Sequence, residues 1–241
     1  MSELDDAEKL DDAEEQKESD ASPVGGFAFF LSLFLILPGS LVLFYLSLQQ
    51  ARETELQTAL AFIGATMFGA LFTQNFIKGH ISVLIHEFKH ALISNLVGNK
   101  YKGMRVDKNS GDFQYAYTKK TAHYNAFISL APYIVPICTF VGFLLSIAIA
   151  RGDSFAASLI LGIAYGSDLT LNFRDISPIQ TDLTDIRGGY RVGVMYVIGW
   201  NLFTAAFVLS LAFHGLSGIG MLLGSLAELF ISLHLFVWGG Q

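Results

Sequence analysis

Apolar runs of about 20 residues recur along this chain, and they restrict its fold more than any other feature. Crossing the hydrocarbon core of a bilayer takes about 20 residues of α-helix, because each residue adds about 1.5 Å of rise. Lipid offers no water to backbone groups, so spanning segments are helices or closed barrels. The sequence therefore predicts an all-α polytopic membrane protein with about six transmembrane helices, at roughly 27–48, 57–77 continuing into 80–97, 124–150, 154–174, 192–213 and 217–238.

Composition agrees with this prediction and separates the N-terminus from the rest. Hydrophobic residues make up 52% of the chain and charged residues 15%, which is outside the usual range of soluble domains. Ten of the 21 acidic residues lie in the first 22 positions. We expect a disordered acidic tail over 1–22 and one membrane-embedded domain over 23–241. The remainder is close to neutral, with 13 basic and 11 acidic residues, so no nucleic-acid partner is expected.

The segment His86-Glu87-Phe88-Lys89-His90 has the pattern of a zinc hydrolase. On a helix, His86 and His90 lie one turn apart on one face, about 6 Å along the axis, so both can reach one tetrahedral metal. Glu87 flanks that face, where it can take a proton from an attacking water. The alternative is a pair of ordinary core or surface histidines. The apolar surroundings favour the metal site, because ionisable groups are costly there.

A catalytic zinc takes three protein ligands, so one more is needed. The chain has a single cysteine, Cys138, which excludes a cysteine-rich site. Asp182 is the preferred third ligand. It follows Pro178, which breaks a helix, and non-helical backbone at membrane depth is tolerated only where it is buried or lines a polar cavity. Asp168 is the alternative, since a carboxylate inside an apolar span is costly without a partner. We interpret the remaining acidic residues of this region, Asp175 and Asp185, as part of a polar loop.

Residues 101–121 predict a β-hairpin between the histidine helix and the next span. Apolar and polar residues alternate on both sides of a turn at 107–111, and Phe113, Tyr115 and Tyr117 share one face. Two interpretations stay open. The hairpin lies on the membrane surface, or its edge strand pairs with an unwound substrate and these three aromatic residues bind it.

These motifs resemble the site-2 protease family of intramembrane zinc metalloproteases, in particular its small members without a PDZ domain. The residues His86, Glu87 and His90 match the family's HExxH helix. The tripeptide Leu130-Ala131-Pro132 is similar to the small-residue and proline element of the following span. In the second family motif a proline precedes an aspartate, as Pro178 precedes Asp182 here, but the glycine that follows in the family is missing.

The resemblance implies a ligand set and roles. One Zn²⁺ would be held by His86, His90 and Asp182, with Glu87 as the general base. Family members stabilise the tetrahedral intermediate with an asparagine, a role that would fall to Asn172. They also carry a β-structured element where this chain has the predicted hairpin.

Basic residues give an orientation if residues 57–97 form one long or kinked membrane helix. Placing the N-terminus and the opening of the site in the cytoplasm puts most Lys and Arg on that side, as the positive-inside rule requires. We expect the cell membrane as the location. The cytoplasmic residues would be Lys100, Lys102, Arg105, Lys108, Lys119, Lys120, Arg174, Arg187 and Arg191, against Arg52 and Arg151 on the opposite side.

The sequence thus predicts a zinc metalloendopeptidase that hydrolyses peptide bonds of membrane-embedded or membrane-adjacent polypeptides. Its expected partners are a membrane protein substrate and the lipid bilayer. Two alternatives stay open. One is a catalytically inactive membrane scaffold or regulator of the same architecture. The other is a small proton or metal transporter that uses Asp168 and the histidines.

Overall fold

The structure, a computed structural model, describes residues 35–186 and 188–238. The predicted acidic tail and the start of the first predicted span lie outside the described residues. A π-helical turn precedes α1, and a short 3₁₀ turn at Ala122–Tyr124 precedes α4. The elements are α1 (Ser40–Ala51), α2 (Leu56–Phe76), α3 (His80–Leu96), β1 (Lys100–Val106), β2 (Gly111–Ala116), α4 (Asn125–Ile134), α5 (Ile137–Ala150), α6 (Ser154–Phe173), α7 (Thr181–Thr184) and α8 (Gly189–Trp238).

Three of these helices, α2, α6 and α8, are long and apolar enough to cross a membrane, and a fourth span results if Ala122–Ile134 and Ile137–Ala150 are counted together. The expected number of about six spans is therefore not confirmed among the residues described. Local breaks explain why two of the predicted runs are divided. Pro136 has no N–H to continue α4, and Gly79 has a φ of 60°, a left-handed value that glycine adopts without strain. Residues 57–97 accordingly form two helices.

Helix α8 contains a break that matches the two spans predicted at 192–213 and 217–238. A straight helix of 50 residues would be about 75 Å long, more than twice the hydrocarbon thickness. Gly215 is not helical, with φ 60° and ψ −149°. Leu222, after the break, packs in one buried cluster with Ala206, before it. In a straight helix these residues would be about 24 Å apart, so the chain reverses direction at Gly215.

The described chain packs as two compact units. The first unit comprises residues 79–135 and 175–197 and contains α3, the two strands, α4, α7 and the start of α8. The second comprises 35–78, 136–174 and 198–238 and contains α1, α2, α5, α6 and the rest of α8. The prediction of a single membrane-embedded domain stays a prediction.

In the first unit, β1 and β2 form an antiparallel hairpin, which confirms the predicted one. The register pairs Lys100 with Ala116 and Val106 with Gly111, with an irregularity between Tyr101 and Gly103. This hairpin is the only sheet among the residues described. The described residues contain no PDZ domain. Helix α4 supplies the core of this unit, with Ile128 and Tyr133 among its almost fully buried side chains.

In the second unit, α2 and α6 approach closely along a row of small residues. A Cβ added at Gly166 would overlap the backbone of Thr66, and one added at Gly162 would meet Phe62 and Ala65. The two glycines are four residues apart, the spacing that lets membrane helices bring their backbones together.

Replacing Gly166 with leucine should destabilise the second unit, because the new side chain has no space against α2. Overpacking of this kind costs about 1–3 kcal/mol. Unfolding of the purified protein in detergent measures the loss. The matched control is Gly64→Leu, since an added Cβ at this exposed α2 position meets nothing within 4 Å. Equal stability of the two variants would contradict the close helix approach.

Candidate metal centre

Helix α3 buries its polar side chains and exposes its apolar ones. Glu87, Lys89 and His90 are at most 8% exposed, whereas Leu84 and Phe88 are each 49% exposed. A helix of a soluble domain shows the opposite distribution. The arrangement fits a helix whose apolar side meets lipid and whose polar side faces the protein, where ionisable groups find partners.

The polar side of α3 brings both histidines to one carboxylate. The Nε2 atom of His86 lies 3.1 Å from Oδ2 of Asp182, and Nε2 of His90 lies 3.5 Å from the same oxygen. One ligand atom from each residue lies within 4.8 Å of the others. Ligands on a tetrahedral zinc, with bonds of about 2.05 Å, are separated by about 3.3 Å. The observed spacing therefore fits a zinc ion bound by three protein ligands.

Asp182 is positioned by the short helix α7. The next residue, Leu183, is fully buried and anchors this single helical turn in the first unit. The Tyr133 hydroxyl donates to Oδ2 of Asp182 over 3.4 Å, and the Gln180 amide does so over 3.3 Å. Neither Tyr133 nor Gln180 is a predicted site residue, because no spacing rule connects them to the histidine motif.

Ionisation of Asp182 suits it to bind a metal. Burial by itself raises the pKa of this carboxyl. The hydrogen bonds and charge interactions with His86 and His90 act in the opposite direction and together outweigh burial, so that the pKa of Asp182 lies well below its ordinary value. The group is therefore a carboxylate at neutral pH, the form that binds zinc.

The imidazole of His90 is held by a backbone carbonyl. Its Nδ1 atom lies 2.6 Å from the carbonyl oxygen of Ile128, and since a carbonyl only accepts, Nδ1 carries the hydrogen. In the neutral ring the lone pair is then on Nε2, directed at Asp182. Two electron-rich atoms 3.5 Å apart need a cation between them, either a proton or a metal ion. Such an outer hydrogen bond is usual for histidines that bind zinc.

Glu87 is buried beside the start of strand β2. Its side chain is 6% exposed, and a Cβ added at Gly111 would overlap its carboxylate. The hairpin therefore contacts the residue predicted to act as general base. Only glycine at position 111 leaves room for this contact.

The alternative ligand, Asp168, has other partners in the second unit. Its side chain is 1% exposed, and its two oxygens accept hydrogen bonds from the backbone N–H groups of Cys138 and Thr139, at 3.2 and 2.6 Å. These donors belong to the first turn of α5, where N–H groups lack partners within the helix. Asp168 thus stabilises the N-terminus of α5, a role that accounts for a carboxylate inside an apolar span.

The other predicted site residues are also located. Asn172 lies on α6 in the second unit, and its amide donates to Oδ1 of Asn201 over 2.9 Å. Phe113 and Tyr115 lie on β2 with stacked rings 5.5 Å apart, and the ring of Tyr117 lies 6.0 Å from that of Tyr115. The three aromatic rings form a continuous row. The oxyanion role of Asn172 and the substrate-binding role of the row stay predictions.

Comparison with known proteins gives one match. A family model described as Peptidase M50B-like matches residues 59–235, a range that includes all four residues of the centre. Neither a search of curated proteins nor one of solved structures gave a match.

Proposed function

This chain belongs to the Peptidase M50B-like family, and we propose that it is an intramembrane zinc endopeptidase. Membership supports a membrane metalloprotease at family level, and the family is zinc-dependent. The observation that carries the finer proposal is the convergence of His86, His90 and Asp182, whose ligand atoms all lie within 4.8 Å of one another, close enough to share one metal ion. Glu87 is the adjacent general base.

The chemistry divides between the ion and the chain. A zinc ion held by His86, His90 and Asp182 would supply Lewis-acid chemistry, lowering the pKa of water and polarising the scissile carbonyl. Glu87 takes the proton of the attacking water and then delivers it to the leaving amine. His90 keeps its Nε2 lone pair towards the ion through its bond to Ile128. Asp182 adds a negative charge that would offset part of the charge of the ion.

The substrate in this proposal is a membrane-embedded or membrane-adjacent polypeptide. A helix has to unwind before its peptide bonds can be attacked, and pairing with a strand edge replaces its lost backbone hydrogen bonds. Strand β2 begins at Gly111, beside Glu87, so a segment paired along this strand would run towards the base. We assign Phe113, Tyr115 and Tyr117 to contacts with side chains of the substrate.

We also propose the orientation that the basic residues favour, on the condition that residues 57–97 make a single crossing of the membrane. The N-terminus and the opening of the site face the cytoplasm, and the cell membrane is the location. The hairpin supports this placement, because Lys100, Lys102 and Arg105 on β1 and Lys108 in its turn are exposed. Basic residues at the membrane boundary concentrate on the cytoplasmic side.

Replacing Gly111 with valine should slow peptide cleavage, because the new side chain would displace the Glu87 carboxylate. The loss falls within the range of about 10²–10⁴-fold that a positioned acid–base group contributes. Zinc content should stay unchanged, since the three atoms nearest to a Cβ at Gly111 all belong to Glu87, which is not a proposed ligand. The control is Gly103→Val in strand β1, where an added Cβ meets nothing within 4 Å. If both variants cleave as fast as the wild type, the hairpin contact has no part in catalysis.

Removal of the metal tests the proposed activity as a whole. Purified protein in liposomes is incubated with a library of labelled single-span peptides, and mass spectrometry detects cleavage products. We expect cleavage that stops with a zinc chelator and returns with added zinc. One bound zinc without cleavage would support the scaffold alternative, since the family includes inactive members. Zinc or proton flux into the liposomes without cleavage would support the transporter alternative.

A further inference from the structure

Two prolines, one inside α4 and one just after it, each remove a backbone hydrogen-bond donor. Pro132 lies inside α4, and in an unbroken helix its N–H would bond to the carbonyl of Ile128, four residues earlier. Proline has no N–H, and its ring pushes that carbonyl out of line with the helix axis. The Ile128 carbonyl is therefore left without its helical partner, and it is the group that accepts from His90 Nδ1 at 2.6 Å.

The same relation recurs four residues later. The helical partner of the Pro132 carbonyl would be the N–H of residue 136, which is also a proline. The Pro132 carbonyl instead accepts a hydrogen bond from Nζ of Lys89 over 3.0 Å. Lys89 is 1% exposed, and a buried ammonium group needs acceptors of this kind. Two carbonyl groups one turn apart on α4 thus lack their helical partners, and each accepts a hydrogen bond from one of two successive residues of α3, Lys89 and His90.

From these contacts we infer that Pro132 is a positioning residue for zinc binding, because its missing N–H leaves the Ile128 carbonyl free to hold His90 with its Nε2 atom towards the metal. The inference rests on the proposed function, since it assigns His90 as a ligand. Pro136 has the corresponding relation to Lys89 and not to His90. The two prolines are thereby separable by mutation.

The consequence for the metal follows from the tautomer of His90. A neutral imidazole carries one hydrogen, which is on Nδ1 or on Nε2, and only a bare Nε2 binds the ion on the side of Asp182. A competing N–H at position 132 would draw the Ile128 carbonyl back towards the helix axis and away from His90. The ring would then populate both tautomers and more orientations. Loss of such an outer hydrogen bond typically costs about 10–100-fold in metal affinity.

The test compares Pro132→Ala with Pro136→Ala in the full-length protein. Competition with a chromophoric chelator gives the zinc affinity of each. We expect Pro132→Ala to bind zinc about 10-fold more weakly or worse, and Pro136→Ala to bind it like the wild type. Thermal unfolding of the zinc-free protein should show no loss for Pro132→Ala, because alanine is the better helix former. A loss of affinity that accompanied general destabilisation would indicate a merely structural role.

A second measurement needs no metal. ¹⁵N-labelled histidine reports the ring tautomer by NMR, and His90→Gln identifies the His90 signals. An imidazolium carries hydrogen on both nitrogens, so the spectra are recorded at a pH high enough for the ring to be neutral. There we expect His90 to carry its hydrogen on Nδ1 in the zinc-free wild type and to become a mixture of the two tautomers in Pro132→Ala. A neutral wild-type ring with its hydrogen on Nε2 and none on Nδ1 would overturn the inference even if Pro132→Ala failed to fold, as would equal zinc affinities for the wild type and Pro132→Ala. A wild type with the expected tautomer but without zinc binding would instead overturn the proposed function.

Discussion

Glu87→Gln should abolish nearly all peptide cleavage while the protein keeps its zinc. Glutamine has the size of glutamate but cannot accept a proton, so the variant loses the base and leaves the three proposed ligands in place. Acid–base groups contribute about 10²–10⁴-fold to rate, and we expect a loss in this range. Cleavage of the peptide library in liposomes gives the rate, and elemental analysis of the same sample gives the zinc content.

Cleavage rate and zinc content, measured on the same sample, distinguish a catalytic role of Glu87 from a structural one. Lost cleavage with retained zinc identifies Glu87 as a catalytic group. Lost zinc would mean that the substitution disturbs the metal centre. Cleavage at the wild-type rate would contradict the enzymatic role of Glu87, and the proposed mechanism would fail with it. Glu53→Gln is a suitable control, because Glu53 is an exposed acidic residue in the turn that follows α1.

Asp182→Ala should lose both zinc and cleavage, whereas Asp168→Ala should keep both. The first variant removes one of the three ligands and leaves two imidazoles, which are too few for a stable catalytic zinc site. The second removes the acceptor of two backbone N–H groups at the start of α5. Loss of such a cap costs about 1 kcal/mol of stability, and this loss should be its main effect.

Zinc content and unfolding in detergent measure the two variants side by side. Retention of about one zinc per chain by Asp182→Ala, or its loss from Asp168→Ala, would reverse the assignment of the third ligand. Each variant is the control for the other, because both remove one carboxylate from the region between residues 168 and 182.

The local part of the centre follows from the sequence alone. Residues four apart on a helix share a face whatever surrounds them, so His86 and His90 were predictable as a pair. The hairpin was predictable for a similar reason, since alternation and turn residues are local signals. Both depend on spacing within about 20 residues.

The third ligand depends on packing that spacing does not encode. Asp182 and Asp168 are both acidic residues in or beside apolar segments, and the structure separates them by their partners. Asp182 is carried to the histidines by a four-residue helix anchored on Leu183. Asp168 serves the start of α5. Tyr133 and Gln180 escaped prediction because their contacts with Asp182 also arise only from the fold.

Helix breaks were the least predictable part of the fold. The run at 124–150 is apolar throughout and is predicted as one span, but the structure places Val135 and Pro136 between two helices. The run at 57–97 is divided in the same way at Gly79. Hydropathy measures how well side chains suit an apolar environment and says nothing about whether the helix continues. One proline, or a glycine with left-handed φ, is enough to end a helix.

Anomalous diffraction at the zinc edge from crystals of the zinc-loaded protein tests the central claim most directly, because it locates the ion independently of any assay. We predict one zinc ion about 2.0–2.2 Å from Nε2 of His86, Nε2 of His90 and a carboxylate oxygen of Asp182. A zinc ion bound elsewhere, or one held by the histidines with Asp182 out of reach, would contradict the account.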